Sequence, residues 1–147
     1  MRHITEVGLS LIKSFEGFSS VIYQDVGGLP TIGYGHLILP QEKPLFKTSI
    51  TEAEAISLLK KDILLAGRAV TRLINIPLRN NQFDALVSFT FNLGSGTLQR
   101  SSLRHKVNRE EHEDVPAEFM RWVWAGGKRL PGLIRRRKAE AELYLSE

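Results

Sequence analysis

Apolar side chains recur at Val7, Leu9, Leu11, Ile12 and Phe15, the spacing of one helical face, so the pattern predicts a first helix over 5–16 with Thr5 as its cap and Gly17 as its stop. From Val21 to Leu39 the texture changes to VIYQDVGGLPTIGYGHLIL, with the turn signal Val26-Gly27-Gly28-Leu29-Pro30 in its middle. Runs of β-branched and aromatic residues around such a turn predict a β-hairpin, with a third short strand after it. A loop containing Pro40 and Pro44 then leads to Thr51-Glu52-Ala53-Glu54. A Thr with Glu three residues later is a capping box, in which each side chain satisfies a free amide of the first helical turn. The helix it opens keeps Ile56, Leu59, Ile63, Ala66, Val70 and Ile74 near one face and stops at Pro77. Its length is about 37 Å at ~1.5 Å per residue.

The remainder reads as helical. Asn80 or Asn81 caps a segment burying Phe83, Leu86, Val87 and Phe91, which Gly94-Ser95-Gly96 breaks. Helices follow over 97–107, 116–124 and 131–145, the last two with proline near the first turn, where its missing amide costs nothing. Trp122 and Trp124, two apart, cannot share one helix face, and the Phe83, Phe89, Phe91 and Phe119 set reads as core. The expected fold class is α+β, mainly helical. A small N-terminal lobe (about 15–55) carries the hairpin, a bridging helix (about 51–76) follows, and a helical lobe (about 77–147) receives the first helix, all within one domain, 1–147.

Composition narrows the chemistry. The chain has 147 residues and no cysteine, which excludes a thiol nucleophile, an iron-sulfur cluster and Cys-based zinc sites. Its four histidines, His3, His36, His105 and His112, are not spaced as a metal pair on one helix face, so no metal and no cofactor is expected. The glycines of TIGYG do not open a helix as a phosphate loop does, and no G-x-S-x-G elbow is present. Glu6, Lys13 and Glu16 interrupt any apolar core of a secretion signal, and no run approaches a membrane span. The expectation is a protein folded in a cytoplasm, with no stable membrane insertion.

Charge is unevenly placed. The formal charge is +4 overall and +7 over 119–138, from Arg121, Lys128, Arg129, Arg135, Arg136, Arg137 and Lys138 with no acid among them, leaving −3 elsewhere. Such segregation suits a polyanionic partner or a solvated helix face. A nucleic-acid-binding module is the competing reading, but it gives the TIGYGH strand and Glu16 no role.

Carboxylates remain as candidate chemistry. Glu16 sits between Phe15 and Gly17-Phe18 at a helix end, where desolvation favours the protonated form a general acid needs. Asp25, nine residues on, lies beside Gly27-Gly28 in a more open turn. Two carboxylates pushed to opposite protonation states are the minimal apparatus for cleaving a glycosidic bond. A helix-end Glu and a turn Asp are also ordinary caps or solvated charges, so spacing alone leaves this open.

The string Glu16, eight residues, Asp25, five residues, Thr31, embedded as FEGF and VIYQDVGGLPTIGYGHLI, resembles the phage-type lysozymes, the endolysins. Phe89-Thr90-Phe91-Asn92-Leu93-Gly94, Arg121-Trp122 and Gly132-Leu133-Ile134-Arg135-Arg136-Arg137 extend the resemblance over 5–145. It implies a lysozyme-like fold and a muramidase cutting bacterial peptidoglycan, with Glu16 as general acid, Asp25 as the carboxylate acting on water and Thr31 as its hydroxyl partner. The inverting course expected requires carboxyl groups roughly 6.5 to 9.5 Å apart. The resemblance further implies that His36 pairs structurally with Asp62, that Tyr23 and Asn92 line the substrate site, and that a monomeric enzyme waits in the host cytoplasm for a holin to release it to the wall. A lytic transglycosylase would need the Glu without a water-activating Asp.

Overall fold

The computed structural model describes residues 1–25, 27–46 and 49–146; Val26, first residue of the expected turn, and Glu147, last of the expected helical lobe, lie outside them. In chain order the elements are α1 (Glu6–Glu16), β1 (Ser19–Gln24), β2 (Pro30–Gly33), β3 (His36–Leu37), α2 (Glu52–Leu73), α3 (Asn80–Leu93), α4 (Ser95–Arg100), α5 (Ser102–Asn108), α6 (Val115–Phe119), β4 (Trp124–Ala125), β5 (Lys128–Arg129) and α7 (Pro131–Leu145). They fall into two compact units, 12–62 and 1–11 with 63–147. The cuts lie inside α1 and α2.

In the unit 12–62, β1, β2 and β3 form an antiparallel sheet in that order, with Tyr23 opposite Thr31 and Ile32 opposite His36. Ile12, Ile32, Tyr34, Ile38, Ile50, Ala55 and Leu59 are its buried apolar residues. The capping box forms at the start of α2: the Glu54 amide donates to Thr51 Oγ1 at 3.1 Å and the Thr51 amide to Glu54 Oε1 at 3.0 Å. The expected loop before it is instead a 3-10 helix, Pro40–Phe46. The Glu42 carboxylate stabilises its start by accepting from the Leu39 amide at 2.9 Å.

The other unit is built around α3, whose residues Phe83 to Thr90 are all buried and which packs against α7. Phe89, Phe119 and Tyr144 meet edge-on, with ring centroids 5.7 Å (Phe89–Phe119) and 6.0 Å (Phe119–Tyr144) apart, an arrangement that suits aromatic quadrupoles. Phe91 is only half-buried, and Val7, counted in the apolar stripe of α1, is 63% exposed.

Four helix boundaries differ from the periodicity. Helix α2 ends at Leu73, because the Leu73 carbonyl accepts from Arg104 Nε at 3.0 Å and Asn108 Nδ2 at 3.1 Å, and the Asn75 amide donates to Asn108 Oδ1 at 2.7 Å. Side chains distant in sequence thus satisfy its terminal groups. At α3 it is the Arg79 amide that is satisfied, by Gln82 Oε1 at 2.9 Å, while Asn81 Nδ2 donates to the Leu143 and Tyr144 carbonyls at the end of α7. The segment 97–107 is two helices, because Ser101 Oγ donates to the Leu98 carbonyl at 2.7 Å and accepts from the Arg104 amide at 3.1 Å, ending one helix and capping the next. Finally, the helix expected to 124 stops at Phe119, and Trp124-Ala125 pairs with Lys128-Arg129. Gly126 and Gly127, at φ +57° and +77°, form the two-residue turn that such a ribbon needs. Trp122 packs edge-on against Phe89, whereas Trp124 is 59% exposed.

Candidate functional site

The end of α1 and the hairpin carry Glu16, Tyr23, Asp25 and Thr31, all within the unit 12–62. Glu16 is the last residue of α1 and half-buried. Its carboxylate lies against Gly35, where an added Cβ would come within 3.1 Å of Glu16 Oε2. Gly35 has φ +80°, so a side chain there would be strained as well as crowded. Gly35→Ala is therefore expected to lower stability by about 1 kcal/mol, which urea unfolding checks. Unchanged stability would show that the strain and the close approach cost nothing.

Asp25 follows β1, and the turn holds it tightly. Its Oδ1 accepts from the Gly27 amide at 2.8 Å and the Leu29 amide at 2.9 Å, and the backbone closes through the Asp25 amide to the Leu29 carbonyl at 2.9 Å. An Asp bonded to its own turn in this way is pre-oriented. Among the described residues Oδ2 has no hydrogen-bond partner, so one carboxylate oxygen builds the turn and the other takes no part in it. Thr31, buried on β2, donates its hydroxyl to the Leu29 carbonyl at 3.0 Å, which leaves the Oγ1 lone pairs as acceptors.

Tyr23 sits directly across from Thr31 on the neighbouring strand and is 36% exposed. Its phenol is pushed above the ordinary tyrosine value, first by burial and then by the negative charges of Glu16 and Asp25.

His36 is clamped between two acids. Its Nδ1 lies 2.7 Å from Asp62 Oδ2 on α2 and its Nε2 3.2 Å from Glu42 Oε2. Burial pushes the Asp62 carboxyl up and outweighs the opposing pull of His36, while the Leu39 amide, with His36 adding, holds Glu42 down. Tyr34, on the turn between β2 and β3, donates to Glu52 Oε1 at 2.9 Å. Glu42 is a partner that sequence reading misses, because it depends on the 3-10 helix turning back.

The basic segment changes most. Of its seven cations, Arg136 and Arg137 are buried, 4% and 0% exposed, around Glu140 at 0%; the other five are exposed. The charge available to a polyanion is correspondingly smaller than the +7 of the sequence. Arg137 Nε lies 3.2 Å from Glu140 Oε1, close enough for charge attraction although not aligned as a hydrogen bond, and Arg136 Nε lies 3.4 Å from Oε2. Ser88 Oγ donates to Glu140 Oε2 at 2.5 Å. Burial pushes the Glu140 carboxyl up and the Arg137 guanidinium down to about 10. Arg137 also donates to Asn92 Oδ1 and stands 5.3 Å from the Phe89 ring centroid. Arg and Glu spaced three and four apart on α7 were the available signal for this cluster.

No helix among the described residues is long and apolar enough to cross a membrane. The profile of the phage lysozyme family matches residues 13–140. The chain is 40% identical to the endolysin of Acyrthosiphon pisum secondary endosymbiont phage 1, over 98% of its own length and 99% of that protein. It is 36% identical over 98% of its length to the endolysin of Bacillus phage B103, of which it spans 54%. Among solved structures, the muramidase domain of SpmX from Asticaccaulis excentricus superposes with a TM-score of 0.88 at 36% identity, covering 99% of this chain and 100% of that one.

Proposed function

The chain belongs to the phage lysozyme family and is a peptidoglycan-hydrolysing glycosidase, and on that premise we propose that Glu16, Asp25 and Thr31 are its catalytic residues. Glu16 donates a proton to the glycosidic oxygen as its bond to the anomeric carbon breaks. A water attacks that carbon from the opposite face, giving one proton to Asp25 Oδ2 and hydrogen-bonding with the other to Thr31 Oγ1. Asp25 is suited to this because the Gly27 and Leu29 amides immobilise Oδ1, and a pre-oriented base loses little freedom in the transition state. The observation that carries the reading is the way Leu29 joins Asp25 and Thr31, its amide donating to Asp25 Oδ1 and its carbonyl accepting from the Thr31 hydroxyl. Tyr23 then contacts the substrate, and the His36–Asp62 pair acts structurally, holding the strand that follows Gly35.

The bond cut is the β-1,4 linkage between N-acetylmuramic acid and N-acetylglucosamine, and the outcome is inversion. The protein works as a monomer, without a cofactor and without nucleic acid as a partner. It is held in the host cytoplasm until a holin opens the membrane. Proton NMR of early digestion products is expected to show the α-anomer at new N-acetylmuramic acid reducing ends. Initial β-anomer would defeat inversion, and anhydro-muramic ends would replace hydrolysis by the transglycosylase reaction.

A further inference from the structure

Outside the basic segment of 119–138 the chain is net acidic, yet the charged side chains of one cavity are all cations. The cavity has a volume of about 310 Å³ and is lined by Met1, Arg2, Gly67, Arg68, Thr71 and Arg72, all in the unit formed by 1–11 and 63–147. Among the described residues no Asp or Glu lines it. Arg2 is anchored: its Nη2 donates to the Leu78 carbonyl at 2.7 Å and to Asn80 Oδ1 at 3.2 Å, and its guanidinium stands 4.5 Å from the Phe83 ring centroid. The other two guanidiniums are available. Arg68 reaches only Met1 Sδ, a weak acceptor 3.9 Å away, and Arg72 has no hydrogen bond or ion pair among the described residues.

Helix energetics account for only one of these arginines. The last turn of α2 favours a cation, which suits Arg72, but Arg68 precedes that turn and meets a like charge four residues on, an arrangement that destabilises a helix. Three guanidiniums and the Thr71 hydroxyl offer more donors than the two oxygens of a carboxylate accept, and they suit the several oxygens of a phosphate. The surroundings favour a phosphate carried by a lipid. Leu65, Arg68 and Arg72 stand at i, i+3 and i+7 on one face of α2, and Leu65 is 62% exposed. Met1, on the cavity wall, is exposed as well. At a bilayer interface such apolar side chains enter the acyl boundary while the neighbouring guanidiniums stay with the headgroups. A soluble phosphate would leave Leu65 and Met1 without a role.

We propose that this cavity seats the phosphate of an anionic phospholipid, so that the protein associates reversibly with a membrane surface. The inference does not rest on the glycosidase reading. Its test is cosedimentation of the full chain with phosphatidylcholine vesicles, with and without phosphatidylglycerol. Wild type is compared with Arg68→Gln/Arg72→Gln, with Lys128→Gln/Arg129→Gln and with Leu65→Ser. The first pair removes the two available cations of the cavity, and the second removes the same charge from the exposed β4–β5 ribbon.

Wild type is expected to bind only the vesicles that contain phosphatidylglycerol. The cavity pair should weaken this binding about thirtyfold, at ~1 kcal/mol for each cation lost from an anionic lipid surface, and the ribbon pair less than about threefold. Leu65→Ser should weaken it about tenfold, the scale of one apolar side chain withdrawn from the acyl boundary. The cavity pair and Leu65→Ser should keep the wild-type melting temperature and turnover of soluble peptidoglycan fragments, because these residues are exposed and lie outside the proposed catalytic set. Absence of binding to phosphatidylglycerol vesicles would overturn the proposal, and equal losses in the two charge pairs would replace the site by an effect of net charge. Unchanged binding in Leu65→Ser, with soluble glycerol phosphate displacing the vesicles, would give the cavity to a free phosphate and remove its lipid. A loss of turnover matching the loss of vesicle binding would mean that the substitutions disturb the enzyme as a whole. Failure of the catalytic reading is separate, because Glu16→Gln should bind vesicles as wild type does whatever its activity.

Discussion

Glu16→Gln is expected to leave the protein folded and to reduce wall clearing by about 10²–10⁴-fold, the usual contribution of a positioned general acid. The substitution keeps the size of the side chain, so its neighbour Gly35 is not crowded further, but an amide cannot supply the proton the leaving oxygen needs. Asp25 would still orient a water through the turn amides, so residual activity should reflect attack without protonation of the leaving group. Turbidity clearance of chloroform-permeabilised Gram-negative cells, with circular dichroism to confirm folding, measures it. Retained clearance by a folded Glu16→Gln protein would remove Glu16 from the mechanism and leave Asp25 and Tyr23 without their proposed partner.

The largest stability effect belongs to Glu140→Gln, expected to cost about 3–5 kcal/mol, the scale for breaking a buried ion pair. Glu140 is fully buried and is the carboxylate that faces both Arg136 and Arg137. Without its charge, the fully buried Arg137 guanidinium loses the carboxylate that faces it. At roughly 2–4 °C per kcal/mol for a chain near this size, the melting temperature should fall by about 10 °C or more. Glu142, exposed on the same helix, provides the control: Glu142→Gln should stay within about 0.5 kcal/mol of wild type. Equal stability of the Glu140 and Glu142 variants would mean that the cluster is not held by charge.

These two residues differ in how visible they are in the sequence. Glu16 is marked by local features, a carboxylate at the end of an apolar helical stripe and at a fixed spacing from Asp25 and Thr31. Glu140 looks like one more surface acid in a run of charges, and Arg136 and Arg137 look like part of a basic face. The i, i+3 and i, i+4 spacing marks a pairing of Arg and Glu, but helical periodicity gives no warning that it is buried, because α7 mixes charged and apolar positions around its circumference. Only the packing of α3 against α7 shows that this side of α7 is interior.

Local sequence by itself determined the mainly helical α+β class, the hairpin and the Thr51 capping box, because periodicity, turn chemistry and capping act over a few neighbouring residues, while the candidate catalytic residues were legible only through the family resemblance of their spacing. The tertiary structure decided what depends on distant groups. Helix α2 stops at Leu73 because Arg104 and Asn108 satisfy its end, and His36 has a second acid in Glu42. Gly35 is favoured without a side chain because its φ is +80° and Glu16 Oε2 lies against it. The basic segment of 119–138 is divided between solvent and core for the same reason: a charge's environment is set by what packs around it, and that is not written in its neighbours along the chain.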